Sequence, residues 1–329
     1  MRRWIVESFG DPIKTWRLDT SAPDAEAGPG RVLVAVEAAG LGLPDVLMAN
    51  DNYPLTPPLP FVPSQEAAGE IVAVGDGVDP AMIGTRVLGS TEFQAQQGGL
   101  AGLSVMRAEA VHPIPDGMSG VEAAGFYIPY QTAWVGLVRR ASITSDDTVL
   151  VLGASGSSGA AAVQLAKAKG ARVIAIAGGP QKAAFCERIG ADAVIDRKTQ
   201  DITTTVRELT NGRGATVVFD PVGGKPARAA FKATAFEGRF VIIGYASGEW
   251  ARIALAETLM TNISLIGAMP VGFTHEQVRA AHDDLVAHWS KGQLDLTHAQ
   301  VYDFEDARAA IECIATGGVE GKVVVRVRT

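Results

Sequence analysis

Cysteine is almost missing from this chain: Cys186 and Cys313 are the only two in 329 residues. They sit in helical patterns, KAAFCERI at 182–189 and AAIECI at 309–314. Two such cysteines make neither a disulfide framework nor a metal cluster, and both read as small core residues. Histidine is scarce as well, with five in all. His275, His282, His288 and His298 lie in the last third, and His112 stands alone. A catalytic zinc needs about three protein ligands and a structural zinc about four, so no metal site is expected. Apolar runs are short, and none reaches the roughly 18 residues that span a bilayer. The opening MRRWIVE has neither an apolar leader nor a small-residue cleavage site, so cytoplasmic residence away from membranes is the expectation. Positive charge is in deficit: 29 Lys and Arg face 36 Asp and Glu, a formal charge of −7. With no basic block to offset this, nucleic acid is not an expected partner. Internal repeats and low-complexity segments are absent too.

What the chain has is glycine, 37 residues in a composition that is 47% apolar and 20% charged. Its length allows two domains, each with its own core. The most informative stretch is VLVLGASGSSGAAAVQLAK at 149–167, an apolar β-branched run, a glycine-rich turn and then helix-forming residues. That order brings backbone N–H groups and a helix N-terminus to a pyrophosphate. Ala154, Gly156 and Gly159 fill a dinucleotide fingerprint whose first glycine has become alanine.

Strand and helix patterns alternate from this point. Strands are expected at 148–153, 171–176, 193–196, 215–219 and 238–243, with helices at 159–169, 180–189, 201–210 and 224–234. Such alternation predicts a mostly parallel α/β sheet covered on both faces. Residues 1 to about 122 are instead rich in strands and turns, with strand patterns at 31–37, 70–75 and 85–89. The segment NDNYPLTPPLPFVP at 50–63 is broken by proline and cannot be a helix or a central strand. A loop of this length in a compact domain is often functional. Beyond residue 262 the alternation ends: a strand at 262–268, a helix at 276–289 and a closing strand at 322–327 could complete either domain.

The second strand of a dinucleotide fold ends beside the adenosine ribose, where an acid accepts bonds from the 2′-hydroxyl of NAD. Here the strand RVIAIA at 172–177 ends in Gly178, Gly179 and Pro180, with no carboxylate. Lys182 follows, and Arg197 ends the next strand. Cations without an acid suit a 2′-phosphate, so NADPH is expected rather than NADH. Ser155, Gly156, Ser158 and Gly159 are expected around the pyrophosphate, and Gly178, Lys182 and Arg197 around the 2′-phosphate. Val222, Gly244 and Tyr245 follow strand ends where the coenzyme crosses the sheet.

Taken in order, these segments resemble the medium-chain dehydrogenase/reductase superfamily, specifically its zinc-free quinone oxidoreductase and enoyl reductase branch. The resemblance spans essentially the whole chain. It rests on AGLGLPDVLM at 39–48, NYP at 52–54, PPLPFVP at 57–63 and EAAGEIVAVGDGV at 66–78. It continues through YQTA at 130–133, the glycine turn, VQLAKAKGA at 163–171, GADAVID at 190–196 and FDPVGG at 219–224. GRFVIIGYASG at 238–248, NISLIG at 262–267 and GKVVV at 321–325 complete it. The resemblance implies a GroES-like, mostly-β catalytic domain at 1–122 and 262–329, a Rossmann coenzyme domain at 123–261, and an active-site cleft between them. It also implies a homodimer joined through edge strands of the Rossmann sheets, with 262–267 in that region. Gly42 stands where the branch commonly has asparagine, and Ser64-Gln65 stands where it has Gly-Ser or Gly-His.

Without a Lewis acid, the expected reaction is hydride transfer from NADPH to an acceptor that is already electrophilic, a quinone or an activated alkene such as an enone, alkenal or enoyl thioester. Charge then develops on oxygen and must be stabilised or protonated. Tyr53 matches the tyrosine proposed as proton donor in enoyl reductases of this branch, and a phenol is protonated at neutral pH. Tyr130 and Thr132 are candidates for contact with the nicotinamide or the acceptor. Tyr127 could line the same wall or be a core aromatic, and Asp45 reads as a local structural acceptor. A low-turnover NADPH-binding regulatory protein is the alternative from a different class, and a zinc alcohol dehydrogenase is a weaker third.

Overall fold

The chain begins with an antiparallel pair, β1 (Arg3–Val6) and β2 (Trp16–Asp19), joined through the short helix α1 (Pro12–Thr15). Next come β3 (Arg31–Leu41), α2 (Leu43–Ala49), β4 (Glu66–Val74), β5 (Arg86–Thr91) and β6 (Leu103–Pro113). The two long strands each serve more than one partner. Strand β3 pairs with β4 along its length and with β6 over 31–35, while β6 pairs with β5 over 111–113. Strands β3 to β6 therefore close on themselves, which removes open edges and encloses one core. Val32, Val34, Val36, Ile71, Val87 and Met106 fill it. The patterns at 31–37, 70–75 and 85–89 match parts of β3, β4 and β5 to within one residue, whereas β6 was not foreseen. Its burial runs from three buried residues through an exposed middle to two buried residues. A strand that crosses between partners shows no single period. In the proline-broken stretch 50–63, Phe61 makes an isolated bridge to Val6 and is buried in the same core.

Helix α3 (Gly120–Ala133) follows, with Pro129 inside it, and a π-helical turn at Trp134–Arg140 continues it. Proline has no N–H for the preceding turn, which loosens the helix there. The alternating region then forms β7 (Thr148–Val151), α4 (Ser157–Ala168), β8 (Arg172–Ala177), α5 (Pro180–Arg188) and β9 (Ala193–Asp196). It continues with α6 (Ile202–Leu209), β10 (Ala215–Asp220), α7 (Gly224–Lys232) and β11 (Thr234–Ile242). After these come α8 (Leu255–Thr261), β12 (Ser264–Gly267) and α9 (His275–Ser290). All pairings in this sheet are parallel, in the order β12-β11-β10-β7-β8-β9. Strand order reverses between β7 and β10, the place where open α/β sheets bind their ligands at the carboxyl ends of the strands.

The chain then forms β13 (Gln300–Asp303), α10 (Ala307–Ala315) and β14 (Val323–Arg326). Strand β14 runs antiparallel to residues 38–41 of β3, and β13 runs parallel to β14. The computed structural model describes residues 1–328. It divides into one unit made of Met1–Ile128 with the stretch from Leu296 onward, and a second unit, Pro129–Asp295. The units divide at 128/129 and 295/296, where the sequence patterns place boundaries at 122/123 and 261/262. Strand β12 pairs with β11, and Trp134 donates to Asp284 on α9 at 2.8 Å, so residues 262–295 stay with the Rossmann sheet.

Candidate functional site

In the second unit the turn after β7 begins at Gly153, whose φ of 57° lies in the left-handed region. Gly156 donates from its backbone to the Gly153 carbonyl at 2.9 Å and serves as N-cap of α4. Gly159 shows why this turn needs glycine. A Cβ built there would stand 2.2 Å from the Gly153 carbonyl oxygen, so the helix could not lie against the turn. The first-turn amides of Ser157, Ser158 and Gly159 point out of the helix N-terminus, as in any α-helix, and form an anion site. The expected residues Ser155, Gly156, Ser158 and Gly159 are together at this helix start. Ser157, its first helical residue, was not singled out.

Strand β8 ends at Ala177 with Gly178 and Gly179 beyond it. A Cβ on Gly178 would lie 3.2 Å from Nη2 of Arg197, and one on Gly179 would lie 3.5 Å from Nζ of Lys198. Both cations therefore lean over a backbone that carries no side chain. Lys182, half-buried, lies in the first turn of α5. The nearest carboxylate, Asp196, accepts from the Gly179 amide at 2.8 Å and the Lys198 amide at 3.0 Å. These two bonds, that from Lys198 first, hold its carboxyl below the usual range. One acid thus shapes the turn while three cations border it. Lys198 was missed from sequence: it follows Arg197 directly, but its approach to Gly179 depends on the turn that Asp196 pins. The glycine gap and these donors fit the 2′-phosphate of NADPH, and the α4 N-terminus fits its pyrophosphate.

At the end of β10 the Asp220 side chain is fully buried. Its Oδ1 accepts from the amides of Val222 and Gly223, both at 2.9 Å. Its Oδ2 has no hydrogen-bond partner among the described residues. Burial pushes the carboxyl up to about 6. The turn it shapes meets the glycine turn, since a Cβ on Gly153 would stand 3.0 Å from the Val222 side chain. Ile243 and Gly244 donate to the Asp220 carbonyl at 2.9 and 3.2 Å, which brings Gly244 and Tyr245 to the same end of the sheet.

Thr132 is half-buried beyond Pro129 on α3, whereas Tyr130 is 5% exposed. Burial pushes the Tyr130 phenol above its usual range, and the Gln164 side chain on α4 hydrogen-bonds it. Gln164 also exchanges two hydrogen bonds with the Asp295 backbone, at 2.6 and 3.1 Å. Tyr130 therefore belongs to the packing of this unit, and Thr132 is the more accessible of the pair.

In the first unit Tyr53 is half-buried after α2, packed against the barrel core, and its carbonyl accepts from Thr56 N and Oγ1 at 3.0 and 2.7 Å. Asp45 accepts from Gly42 N at 2.9 Å and Ser64 N at 2.8 Å. Burial raises its carboxyl to about 6 against these bonds. Ser64 has φ 80°, which explains why the branch favours glycine there. Its hydroxyl lies 2.7 Å from the Glu66 carbonyl and 3.0 Å from that of Gly40. Glu66 accepts from Lys322 Nζ at 2.5 Å on one oxygen and from Ile128 N at 2.7 Å on the other. Both oxygens are thus engaged within the protein, and neither is presented as a metal ligand. Tyr127 is a core ring, tilted against His112 with centroids 5.6 Å apart.

Two family models match the chain: an alcohol dehydrogenase GroES-like domain over residues 28–116 and a zinc-binding dehydrogenase over residues 159–287. Despite the second description, the described residues contain no group of three or more His, Cys, Asp or Glu able to hold a metal ion. A quinone oxidoreductase-like protein 2 homolog of Nematostella vectensis is 34% identical over 306 residues, covering 92% of this chain and 83% of its own. A mycobacterial structure complexed with NADPH superposes with a TM-score of 0.91 at 27% identity, over 99% of this chain and 100% of the other. The Escherichia coli quinone oxidoreductase complexed with NADPH gives a TM-score of 0.90 at 26% identity, over the same shares of the two chains.

Proposed function

Because the chain belongs to the quinone-oxidoreductase-like branch of the medium-chain dehydrogenase/reductase superfamily, we propose that it is a zinc-independent, NADPH-dependent reductase of quinones. The observation that carries the coenzyme reading is the glycine pair at 178–179, overhung by Arg197 and Lys198 where an NAD enzyme keeps an acid. Two relatives of this fold were solved with NADPH, and similar proteins are named quinone oxidoreductases. When bound, NADPH supplies the hydride. A quinone that takes one hydride and one proton becomes a hydroquinone, and solvent can provide that proton.

The residues of the chain bind and orient. The α4 N-terminus with Ser155, Gly156, Ser158 and Gly159 holds the pyrophosphate. Gly178, Lys182, Arg197 and Lys198 hold the 2′-phosphate. Val222, Gly244 and Tyr245 flank the coenzyme at the carboxyl ends of β10 and β11, and Thr132 supplies a hydroxyl on the nicotinamide side. The half-buried Tyr53 phenol favours a second acceptor class, activated alkenes, because it can donate a proton to a reduced enolate. We also infer a homodimer. Among the described residues strand β12 has only β11 as a sheet neighbour, and α8, which leads into it, buries none of its residues, leaving Leu255, Leu259 and Met260 exposed. An apolar helix next to an open strand edge suits a second copy related by a twofold axis. No helix among the described residues is long and apolar enough to cross a membrane.

The test is a crossed panel of NADPH and NADH against p-quinones, enones, alkenals and enoyl thioesters. The expected outcome is NADPH oxidation fastest with quinones, and a Lys182→Ala variant whose KM rises much more for NADPH than for NADH. Absence of turnover with every acceptor, despite tight NADPH binding, would leave the binding-protein reading. Equal effects of Lys182→Ala on both coenzymes would remove the phosphate assignment.

A further inference from the structure

We propose that Tyr245 and Trp250 form a stacking platform for the acceptor ring, selecting quinones whose ring is fused to further aromatic rings. The inference rests on the quinone reading above and names the substrate class within it.

The platform lies where β11 ends, on the loop 243–254 at the carboxyl end of the parallel sheet, the end at which such sheets bind ligands. The loop is held at both ends. Ala246 and Ser247 donate to the carbonyls of Pro221 and Val222 at 3.0 and 2.8 Å, and Gly248 donates to Tyr245 at 2.7 Å. Gly223 allows this approach, because a Cβ there would stand 2.2 Å from the Glu249 carbonyl oxygen. On the far side Ala251 and Ile253 pack onto the Rossmann core. Between these anchors Trp250 stays 53% exposed. Its ring lies against that of Tyr245, with centroids 4.4 Å apart and planes tilted by 37°.

An indole held on both sides yet left in water gives up apolar burial that a flat ligand would restore. The face of an indole or phenol is electron-rich, and the quadrupole of a quinone ring is reversed by its two carbonyls, so the two stack favourably. Phe236 is also exposed, but it lies at the opposite end of β11, away from the ligand edge. A fused-ring quinone can reach the platform with its second ring, whereas a single-ring quinone or an acyclic enone offers nothing beyond its reacting carbons.

The experiment compares wild type, Trp250→Ala and Trp250→Phe with 1,4-benzoquinone, 1,4-naphthoquinone, 9,10-phenanthrenequinone and but-3-en-2-one. Calorimetry measures NADPH binding, and naphthoquinone binding to the NADP⁺-loaded protein. Trp250→Ala is expected to lower kcat/KM about fivefold to tenfold for the two fused-ring quinones and to weaken naphthoquinone binding by a similar factor. Benzoquinone and the enone should change less than about twofold, Trp250→Phe should recover most of the loss, and NADPH affinity should be unchanged. An equal loss across all acceptors, no loss at all, weakened NADPH binding or an altered sedimentation coefficient would each overturn the platform. Should wild type bind NADPH but reduce no quinone, the quinone reading fails; the naphthoquinone titrations then decide the platform separately.

Discussion

One oxygen of Asp220 rests on the amides of Val222 and Gly223, and the other meets no partner among the described residues. Burial holds its carboxyl near 6, above the value of about 4 for an unfolded chain. Between these two values the folded protein binds more protons than the unfolded one, so this group's contribution to stability is lost as pH rises through about 6. Asp45, also raised to about 6, acts in the same direction. Burial lowers His282 to about 4, which makes stability rise with pH over the window between there and its ordinary value. A comparison with Asp220→Asn isolates the one group. The variant should gain about 2 kcal/mol on wild type between pH 4 and pH 7 in urea unfolding. A constant difference across that range would mean that Asp220 does not titrate with folding. At this scale the sequence showed residue types and departures but not their reasons. Ser64 was visible as a substitution, while its left-handed backbone and hydroxyl contacts required coordinates. Glu66 and Lys322 are 256 positions apart, and no local pattern could pair them.

The glycine turn and α4 were legible because their chemistry is local: an apolar strand, three spaced glycines and an alanine-rich helix follow one another without a break. The structure divides the work between two of those glycines. A Cβ on Gly159 meets a carbonyl oxygen at 2.2 Å, whereas one on Gly156 has its nearest contact at 3.4 Å. Gly159→Ala should therefore cost about 2 kcal/mol of stability, even though alanine is the better helix former. Gly156→Ala should unfold within about 0.5 kcal/mol of wild type yet bind NADPH at least tenfold more weakly, because the helix start must admit a pyrophosphate. Denaturation and calorimetry on the two variants check the split, and matching stability losses would refute it. Strand β6 escaped sequence reading for the opposite reason. It pairs with β3 at one end and β5 at the other, so its buried face changes along its length.

For the whole molecule, the edge strand β12 and the apolar surface of α8 carry the expectation of a twofold dimer. Leu259 is 76% exposed, so replacing it with aspartate should leave folding intact while placing a buried, unpaired charge at the contact. Sedimentation should find a dimer for wild type and a shift toward monomer for Leu259→Asp; a wild-type monomer would end the proposal. The sequence by itself determined the two kinds of fold, the alternation of strand and helix from β7 to β11, the absence of an acid at the end of β8 and the scarcity of cysteine and histidine. Each of these is written in local periodicity, in a turn or in composition. Only the tertiary structure decided that residues 262–295 stay with the coenzyme unit, that Lys198 joins Arg197 over bare backbone, that Tyr130 is packed inside, and that Trp250 is held in the open beside Tyr245. These outcomes depend on contacts between segments distant along the chain or on the path of a loop, and side-chain identity alone specifies neither.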